Sequence, residues 1–247
     1  MYLTTRALVL RVTDYNDKDA LLTLLTPNHG KVTAKARGLR RKNSPLTAPC
    51  QLLAFGDFTL FEYRDYYTVN EAASVELFSP LRRDLTKLSL GTYFAQVAEL
   101  CSQEDLPNPE LLSLVLNCLH ALCRLNQPEE KVKAVFELRC AMLSGYMPDL
   151  NGCHICGDAK ADRFDLSSGL LECSGCRIAG AGGIRMPVSP GTLEAMRYIT
   201  LCDPKRLFSF ELGQENLQQL STITEAYLTT QLERGFSALD FYKSLLI

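Results

Sequence analysis

The sequence lacks any apolar run long enough to cross a bilayer. Its longest, Leu111 to Cys123, is shorter than the ~18 residues that a spanning helix needs. The start of the chain also lacks the apolar region of a signal peptide, because Arg11 interrupts the run that begins at Ala7. A chain without an export signal is expected to stay in the cytoplasm, where paired cysteines hold metal more often than they form disulfides.

Residue patterns for covalent catalysis are also scarce. None of the three histidines (His29, His120 and His154) pairs with the serine, cysteine or carboxylate that would indicate a nucleophile. Gly30–Lys31 lacks the upstream glycine of a phosphate-binding loop. We therefore expect a protein that is not an enzyme. A metal-dependent nuclease remains an alternative, with Mg²⁺ held by three acids of one predicted turn: Asp14, Asp17 and Asp19.

Cysteine, by contrast, is abundant, and four of the ten cysteines form two pairs. Cys153 and Cys156 precede Cys173 and Cys176 in the pattern C-x2-C-x16-C-x2-C. This spacing is typical of a structural zinc site, because each pair closes a turn that points two sulfurs at one tetrahedral ion. The residues between the pairs are predicted to form a small hairpin. Redox-active pairs or unrelated thiols are the alternative interpretation.

The net charge of −2 conceals an uneven distribution of charge. Residues 1–45 carry nine Lys and Arg against three acids, a net +6, whereas the remainder carries 17 basic and 25 acidic residues, a net −8. Such asymmetry indicates a polyanion-binding surface on one module.

Periodicity divides the chain into an N-terminal β region and a helical remainder. The first eighty residues alternate apolar and polar positions in six predicted strands: Ala7–Val12, Ala20–Leu25, Lys31–Arg37, Gln51–Phe55, Phe58–Tyr63 and Thr68–Phe78. Short antiparallel strands at this density favour a closed barrel of the OB-fold type. Helices are predicted at Pro80 to Ser102, from Asn108–Pro109, at Glu129 to Gly145, at Ser189 to Thr200 and at Gln214 to Phe241.

These elements predict an α+β protein of several domains. Residues 1–79 form an OB-fold β-barrel that binds nucleic acid, and residues 80–148 with 189–247 form an α-helical bundle. Residues 149–188 form an inserted four-cysteine zinc module, from which a glycine-rich stretch at 179–183 is expected to be a flexible exit.

The third predicted strand and the loop after it form the strongest candidate binding surface, which we call the basic segment. It holds six cations and no acid: Lys31, Lys35, Arg37, Arg40, Arg41 and Lys42. Cations along one strand face and its loop can follow a phosphodiester backbone without reading its sequence. The alternative is a solvated edge. Aromatic residues on neighbouring strands, from Phe55 to Tyr67, could stack on bases, but burial in the barrel core is favoured, with one or two of them facing outward.

The order of several short segments resembles the bacterial RecO family of DNA repair proteins along essentially the whole chain. Ala7–Leu10 and His29–Lys31 resemble the family's opening strands, and Ala36–Gly38 with Arg40–Arg41 is similar to its most recognisable segment. Gly145–Asn151 leads into the first cysteine pair as in the zinc-bearing members. Two segments resemble the closing helix: Leu232–Arg234 and Ser237–Leu239.

The resemblance implies an OB-fold, a helical domain and one structural zinc ion on four thiolates. It implies a recombination mediator that binds single- and double-stranded DNA, anneals complementary strands and engages the tail of single-strand-binding protein. With RecR, such a protein helps to load RecA in the cytoplasm, at the nucleoid. By position, the family's DNA-binding face falls on the basic segment. Some members lack the cysteines, so zinc is expected to serve folding.

Two further interpretations stay open. OB-folds and zinc ribbons also occur in RNA-binding or ribosome-associated proteins. The basic segment could also contact an acidic protein tail in an interaction scaffold.

Overall fold

Five strands at the start of the chain form a closed barrel. The computed structural model describes residues 1–64, 66–125, 127–176 and 183–246. The strands are Tyr2–Asp14 (β1), Ala20–Leu25 (β2), Lys31–Ala36 (β3), Phe55–Tyr63 (β4) and Tyr66–Glu76 (β5). Their order around the barrel is β1-β2-β3-β5-β4, and β4 pairs with β1 to complete the ring. This is the predicted OB-fold.

Alternation along each strand fills the barrel interior. In β3, Val32, Ala34 and Ala36 are buried, while the residues between them lie on the outer surface. The long strand β1 serves two neighbours, since its first half pairs with β4 and its second half with β2. The register shifts between Val9 and Arg11, and an irregularity of this kind lets a strand bend from one partner to the next.

The loop between β3 and β4 contributes to the core rather than forming another strand. Leu39, Leu46 and Cys50 from this loop pack with the inward residues of the barrel. The strand predicted at Gln51–Phe55 is wrong, because only Phe55 belongs to a strand, as the first residue of β4.

Six α-helices follow the barrel within the described residues. They are Leu85–Cys101 (α1), Pro109–Arg124 (α2), Glu129–Leu143 (α3), Pro190–Leu201 (α4), Gln214–Leu232 (α5) and Ser237–Ser244 (α6). The predicted start signals are confirmed for α2 and α4: Asn108 Oδ1 accepts from Leu111 N, and Ser189 Oγ accepts from Thr192 N. None of these helices is both long and apolar enough to cross a membrane.

Two predicted helices are interrupted. A 3₁₀ turn at Ser79–Arg83 precedes α1, which begins after the extended residue Asp84. The helix predicted from Gln214 to Phe241 ends at Leu232, because Glu233 adopts a left-handed conformation with φ 49°. Such a residue reverses the chain and starts α6 in a new direction.

The four-cysteine region forms a small sheet. Its strands are Asp149–Cys153 (β6), Arg163–Asp165 (β7), Leu170–Glu172 (β8) and Arg185–Pro187 (β9), in the order β6-β8-β7-β9. The β7–β8 hairpin between the cysteine pairs matches the sequence prediction. The predicted flexible exit at 179–183 falls outside the described residues except for Gly183.

The chain divides into two compact units. The first comprises Met1–Leu125 with Phe236–Ile247, and the second comprises Asn126–Gly235. The first unit therefore contains the barrel, α1, α2 and α6, while the second contains α3, the four-cysteine sheet, α4 and α5. This grouping differs from the three segments expected from the sequence, whose boundaries stay a prediction.

In the first unit, α6 packs on α1. The rings of Tyr93 and Phe236 meet edge to face with centroids 5.5 Å apart, and Gln96 Nε2 donates to Ser237 Oγ at 3.3 Å. Residues far apart in sequence thus complete one unit.

In the second unit, a buried ion network joins α3 to α5. Lys133 Nζ lies 3.0 Å from Glu137 Oε1 and 2.8 Å from Glu225 Oε2, and Thr224 Oγ1 donates to Glu137 Oε2 at 2.8 Å. Lys133 and Glu137 are almost fully buried. Removing one partner would leave the other charge buried without compensation, so the network fixes how these helices pair.

Gly30 is required where the barrel meets the end of α1. Its φ is +59°, and a Cβ there would collide with the carbonyl oxygens of Gln103 and Leu106. We expect Gly30→Ala to lower the free energy of unfolding by at least about 2 kcal/mol, because left-handed strain and steric overlap add. Chemical denaturation measures this change.

Gly235→Ala is the matched control, since nothing lies within 4 Å of its added Cβ and its φ is not positive. Equal destabilisation by both substitutions would contradict the role assigned to Gly30.

Candidate nucleic-acid interface and metal centre

The four paired cysteines meet at one point. Cys153 ends β6 and Cys173 directly follows β8, and a parallel pairing between these strands brings the two knuckles together. Each knuckle is a tight turn: Gly157 N donates to Cys153 O at 2.8 Å, and Cys176 N donates to Cys173 O at 3.1 Å. The four sulfurs lie within 4.8 Å of one another, an arrangement that could hold a metal ion.

The electrostatics of the cluster favour a cation at its centre. Backbone N–H groups of Cys156 and Ile155 lower the pKa of Cys153 to about 6, so one thiolate is already stabilised. Hydrogen bonds with Cys156 and Cys173 raise the pKa of Cys176 to about 12. Several thiolates can share so small a volume only if a positive ion offsets their repulsion.

His154 lies beside this centre without joining it. Its Nε2 is 3.5 Å from Glu172 Oε1, and Glu172 also accepts from Arg185 Nε at 2.7 Å. This geometry agrees with a ligand set made of the four cysteines. Instead, Glu172 links β8, the strand before Cys173, to β9 through its contact with Arg185.

The basic segment divides into two groups of cations. Lys31, Lys35 and Arg40 are committed to the protein itself. Lys31 Nζ donates to Glu99 O near the end of α1 at 3.1 Å, Lys35 Nζ pairs with Asp19 Oδ2 at 3.1 Å, and Arg40 pairs with Asp14. Lys35 also lies over the Tyr15 ring, 4.3 Å from its centroid.

The second group, Arg37, Arg41 and Lys42, lines a groove. All three residues are exposed, and the opposite wall comes from β5, including Asn70 and Glu71. The cavity measures about 480 Å³. Within the described part of the chain, no carboxylate lies at ion-pair distance from these three cations, so their charge is directed to the groove.

Gly38 and Asp19 shape the loop that carries these cations. Gly38 has φ +66°, and the Arg41 side chain packs where a Cβ would stand. Gly38 N donates to Asp19 Oδ1 at 2.8 Å. That hydrogen bond, the Lys35 ammonium and the Asn16 amide together lower the pKa of Asp19 from 3.8 to about 2.

These contacts weigh against the nuclease alternative. Asp14 pairs with Arg40 and Asp19 pairs with Lys35, so both carboxylates already hold cations of the basic segment. Among the described residues, the four cysteines are the single group of three or more side chains placed to hold a metal.

Three of the neighbouring aromatics are exposed, rather than the one or two expected to face outward. Phe58 fills the barrel core, but Phe61, Tyr63 and Tyr66 are 39%, 58% and 78% exposed. Phe61 and Tyr63 occupy the outward positions of β4, which alternate with the buried Phe58 and Leu60, and Tyr66 lies opposite Tyr63 on β5.

Sequence reasoning missed the β5 wall of the groove and the anchoring role of Asp19. The β5 wall depends on the parallel pairing of β3 with β5, which no local pattern reports. The Asp19 contact with Gly38 spans nineteen residues. The one signal in the sequence for the role of Asp19 was the presence of acidic residues shortly before the basic segment.

Comparisons with known proteins cover almost the whole chain. The family model described as Recombination protein O N terminal matches residues 1–78, and the one described as Recombination protein O C terminal matches residues 82–240. A DNA repair protein RecO from Acetivibrio thermocellus is 33% identical over 247 residues, 99% of this chain and 97% of that protein. One from Alkaliphilus metalliredigens is 29% identical over 99% of this chain and 100% of that protein.

The Asp19 carboxyl should titrate near pH 2 in the folded protein. Because folding lowers its pKa from 3.8, its stabilisation is complete above about pH 4 and is lost as pH falls through about 2. NMR of the side-chain carboxyl carbon measures the midpoint. Lys35→Met should raise this midpoint only part of the way, since the Gly38 N–H remains. A titration midpoint near pH 4 for Asp19 in the wild-type protein would contradict its proposed hydrogen bonds to Gly38 and Lys35.

Proposed function

Because this chain belongs to the RecO family of DNA repair and recombination proteins, we propose that it is a mediator that binds single- and double-stranded DNA. Its role would be to anneal complementary strands and, with RecR, to help load RecA onto DNA coated by single-strand-binding protein. RecR and the tail of single-strand-binding protein are the proposed protein partners, and the proposed location is the cytoplasm, at the nucleoid.

The observation that carries this proposal is the groove lined by Arg37, Arg41 and Lys42. Three cations on one rim, free of the carboxylates that neutralise Lys35 and Arg40, form a site for successive phosphates. Contacts of this kind hold a strand without reading its sequence, as annealing of arbitrary sequences requires.

The proposed activity involves no covalent step. Two complementary strands repel each other through their phosphates, and cations on one surface reduce that repulsion as the strands approach. The protein would hold one strand with its bases available and let base pairing provide the driving force. No side chain is required to act as nucleophile or general base.

For the four-cysteine cluster we propose one structural Zn²⁺. Zinc prefers four thiolates in a tetrahedron with Zn–S near 2.3 Å, which places the sulfurs about 3.8 Å apart. Cys156 Sγ and Cys173 Sγ lie 3.7 Å apart, consistent with that geometry. With four protein ligands no position remains for water, so the ion would stabilise the sheet and take no part in DNA chemistry.

Arg37→Gln with Arg41→Gln should weaken DNA binding and flatten its salt dependence. Each lost phosphate contact reduces the slope of log affinity against log salt by about 0.7 on single strands and 0.9 on duplex, so two contacts remove about 1.4 or 1.8. Fluorescence anisotropy over a range of salt concentrations measures this slope.

Arg6→Gln with Arg11→Gln is the charge-matched control. Both arginines lie on β1 and are paired, with Asp57 and Glu99 respectively. If the two double variants had the same slope, the groove would be excluded as the interface. A structured RNA competitor that displaced DNA at equal concentration would instead favour the RNA-binding alternative.

The purified protein should contain one zinc per chain, and Cys153→Ser should lose it. Without the ion, β6 is no longer linked to β8 through the cysteines. If the free energy of unfolding falls by about 3 kcal/mol, Tm falls by roughly 10 °C in a unit of this size. Elemental analysis and thermal unfolding provide the two measurements. Cys202→Ser, at a cysteine outside the cluster, should retain both zinc and Tm. Zinc-free wild-type protein would overturn the assignment.

A further inference from the structure

Four aromatic rings lie together on the outside of the barrel. We call this surface the aromatic face: Tyr2, Phe61, Tyr63 and Tyr66. The rings are 61%, 39%, 58% and 78% exposed. Strand register brings them together, because Tyr2 lies opposite Phe61 and Tyr63 lies opposite Tyr66. The Tyr2 and Phe61 rings touch, with centroids 5.3 Å apart.

The barrel core does not need these rings. Phe58, Leu60 and Val69 fill the interior from the same two strands and are at most 5% exposed. A single exposed aromatic is ordinary on a protein surface, but a contiguous apolar patch marks a surface that binds something. The chemistry of its surroundings identifies the ligand.

The aromatic face is continuous with the basic segment. Thr68 of β5 is the cross-strand neighbour of both Lys35 on β3 and Phe61 on β4. A single outward row therefore runs across four strands from Lys35 through Thr68 and Phe61 to Tyr2. Rings and cations thus share one side of the barrel.

The phosphate groove lies further along the same strand. Asn70 lines the groove, four residues after Tyr66, and four residues of strand span about 13 Å. A few nucleotides cover that distance, within the roughly 4–16 that one OB-fold binds. One strand of nucleic acid could therefore reach both surfaces.

A cation also accompanies the rings themselves. The Arg64 guanidinium lies 5.2 Å from the centroid of the Tyr63 ring. Arginine beside an aromatic ring provides positive charge for a phosphate and a second planar surface for a base. An apolar protein segment would gain nothing from this charge, whereas a polyanion with flat apolar bases would.

We propose that the aromatic face stacks unpaired bases of a single strand whose phosphates occupy the groove of Arg37, Arg41 and Lys42. This inference rests on the proposed function and adds a preference to it. The bases of a duplex are already stacked inside the helix, so duplex DNA engages only the cations. The barrel accordingly holds single strands more tightly than duplex of equal length.

The test compares the wild-type protein with a full-length double variant that carries both Tyr63→Leu and Tyr66→Leu. Binding to an oligothymidylate and to a duplex is followed by fluorescence anisotropy at one salt concentration. We expect affinity for the single strand to fall ten- to a hundredfold, with duplex affinity within about twofold of wild type. The salt slope should not change, because no cation is removed.

Two further variants serve as controls. Val75→Ala shortens another exposed apolar residue of β5 and should leave both affinities unchanged. Tyr63→Phe with Tyr66→Phe should preserve both affinities, because the stacking surface remains. The chain has ten tyrosines and no tryptophan, so base stacking is visible as quenching of tyrosine emission. The phenylalanine variant should lose part of that quenching while its affinity is retained.

The outcomes separate this inference from the proposed function. If the leucine variant unfolds normally on heating and its single-strand affinity is unchanged, the aromatic face does not stack bases. Its exposed rings would then be assigned to binding of a protein partner. An equal loss on single strands and duplex also contradicts base stacking by the aromatic face. In both cases the function of the groove stands or falls with the Arg37 and Arg41 substitutions alone.

Discussion

The parallel pairing of β3 with β5 is the contact on which the rest of the first unit depends. It joins Ala34 to Tyr67 and Lys35 to Thr68, and these contacts close a sheet whose other pairings are antiparallel. Without it, the loop after β3 would have no β5 wall, and the groove would be an open edge. The same pairing sets the cations of β3 beside the outward rings of β4 and β5. The β3–β5 pairing therefore closes the barrel and forms the groove at the same time.

Charge in the basic segment has two distinct uses. Lys35 and Arg40 are held by Asp19 and Asp14, and these ion pairs fix the shape of the loop. The Arg40–Asp14 pair is exposed and contributes little to global stability, whereas Lys35 and Asp19 are partly buried. Together with the Gly38 hydrogen bond, the two pairs define where the loop runs. The remaining cations can then project into the groove. A count of lysines and arginines in the sequence overstates the charge available to a ligand, because it ignores the carboxylates that folding brings alongside.

Features encoded locally could be predicted from the sequence, and features encoded by distant pairings could not. The cysteine spacing predicted the metal cluster because two short turns contain all four ligands. Asn108 and Ser189 marked helix starts, since a cap acts on residues three positions away. The break at Glu233 escaped notice because the sequence has no proline there and glycine follows only at Gly235. The outward aromatics were mostly assigned to the core because large aromatic side chains are usually buried, although alternation along β4 places Phe61 and Tyr63 on the face opposite to Phe58 and Leu60.

The return of α6 to the first unit has a consequence for biosynthesis. The second unit is inserted between Leu125 and Phe236, so the partner that covers Tyr93 is synthesised more than a hundred residues after it. A ribosome moving at about 5–20 residues per second needs roughly 5–20 s to synthesise the second unit, so α6 emerges that much later than the rest of the first unit. During that interval α1 would expose apolar surface on a nascent chain. The N-terminal barrel unit would then be the last to mature, contrary to the usual vectorial order of translation.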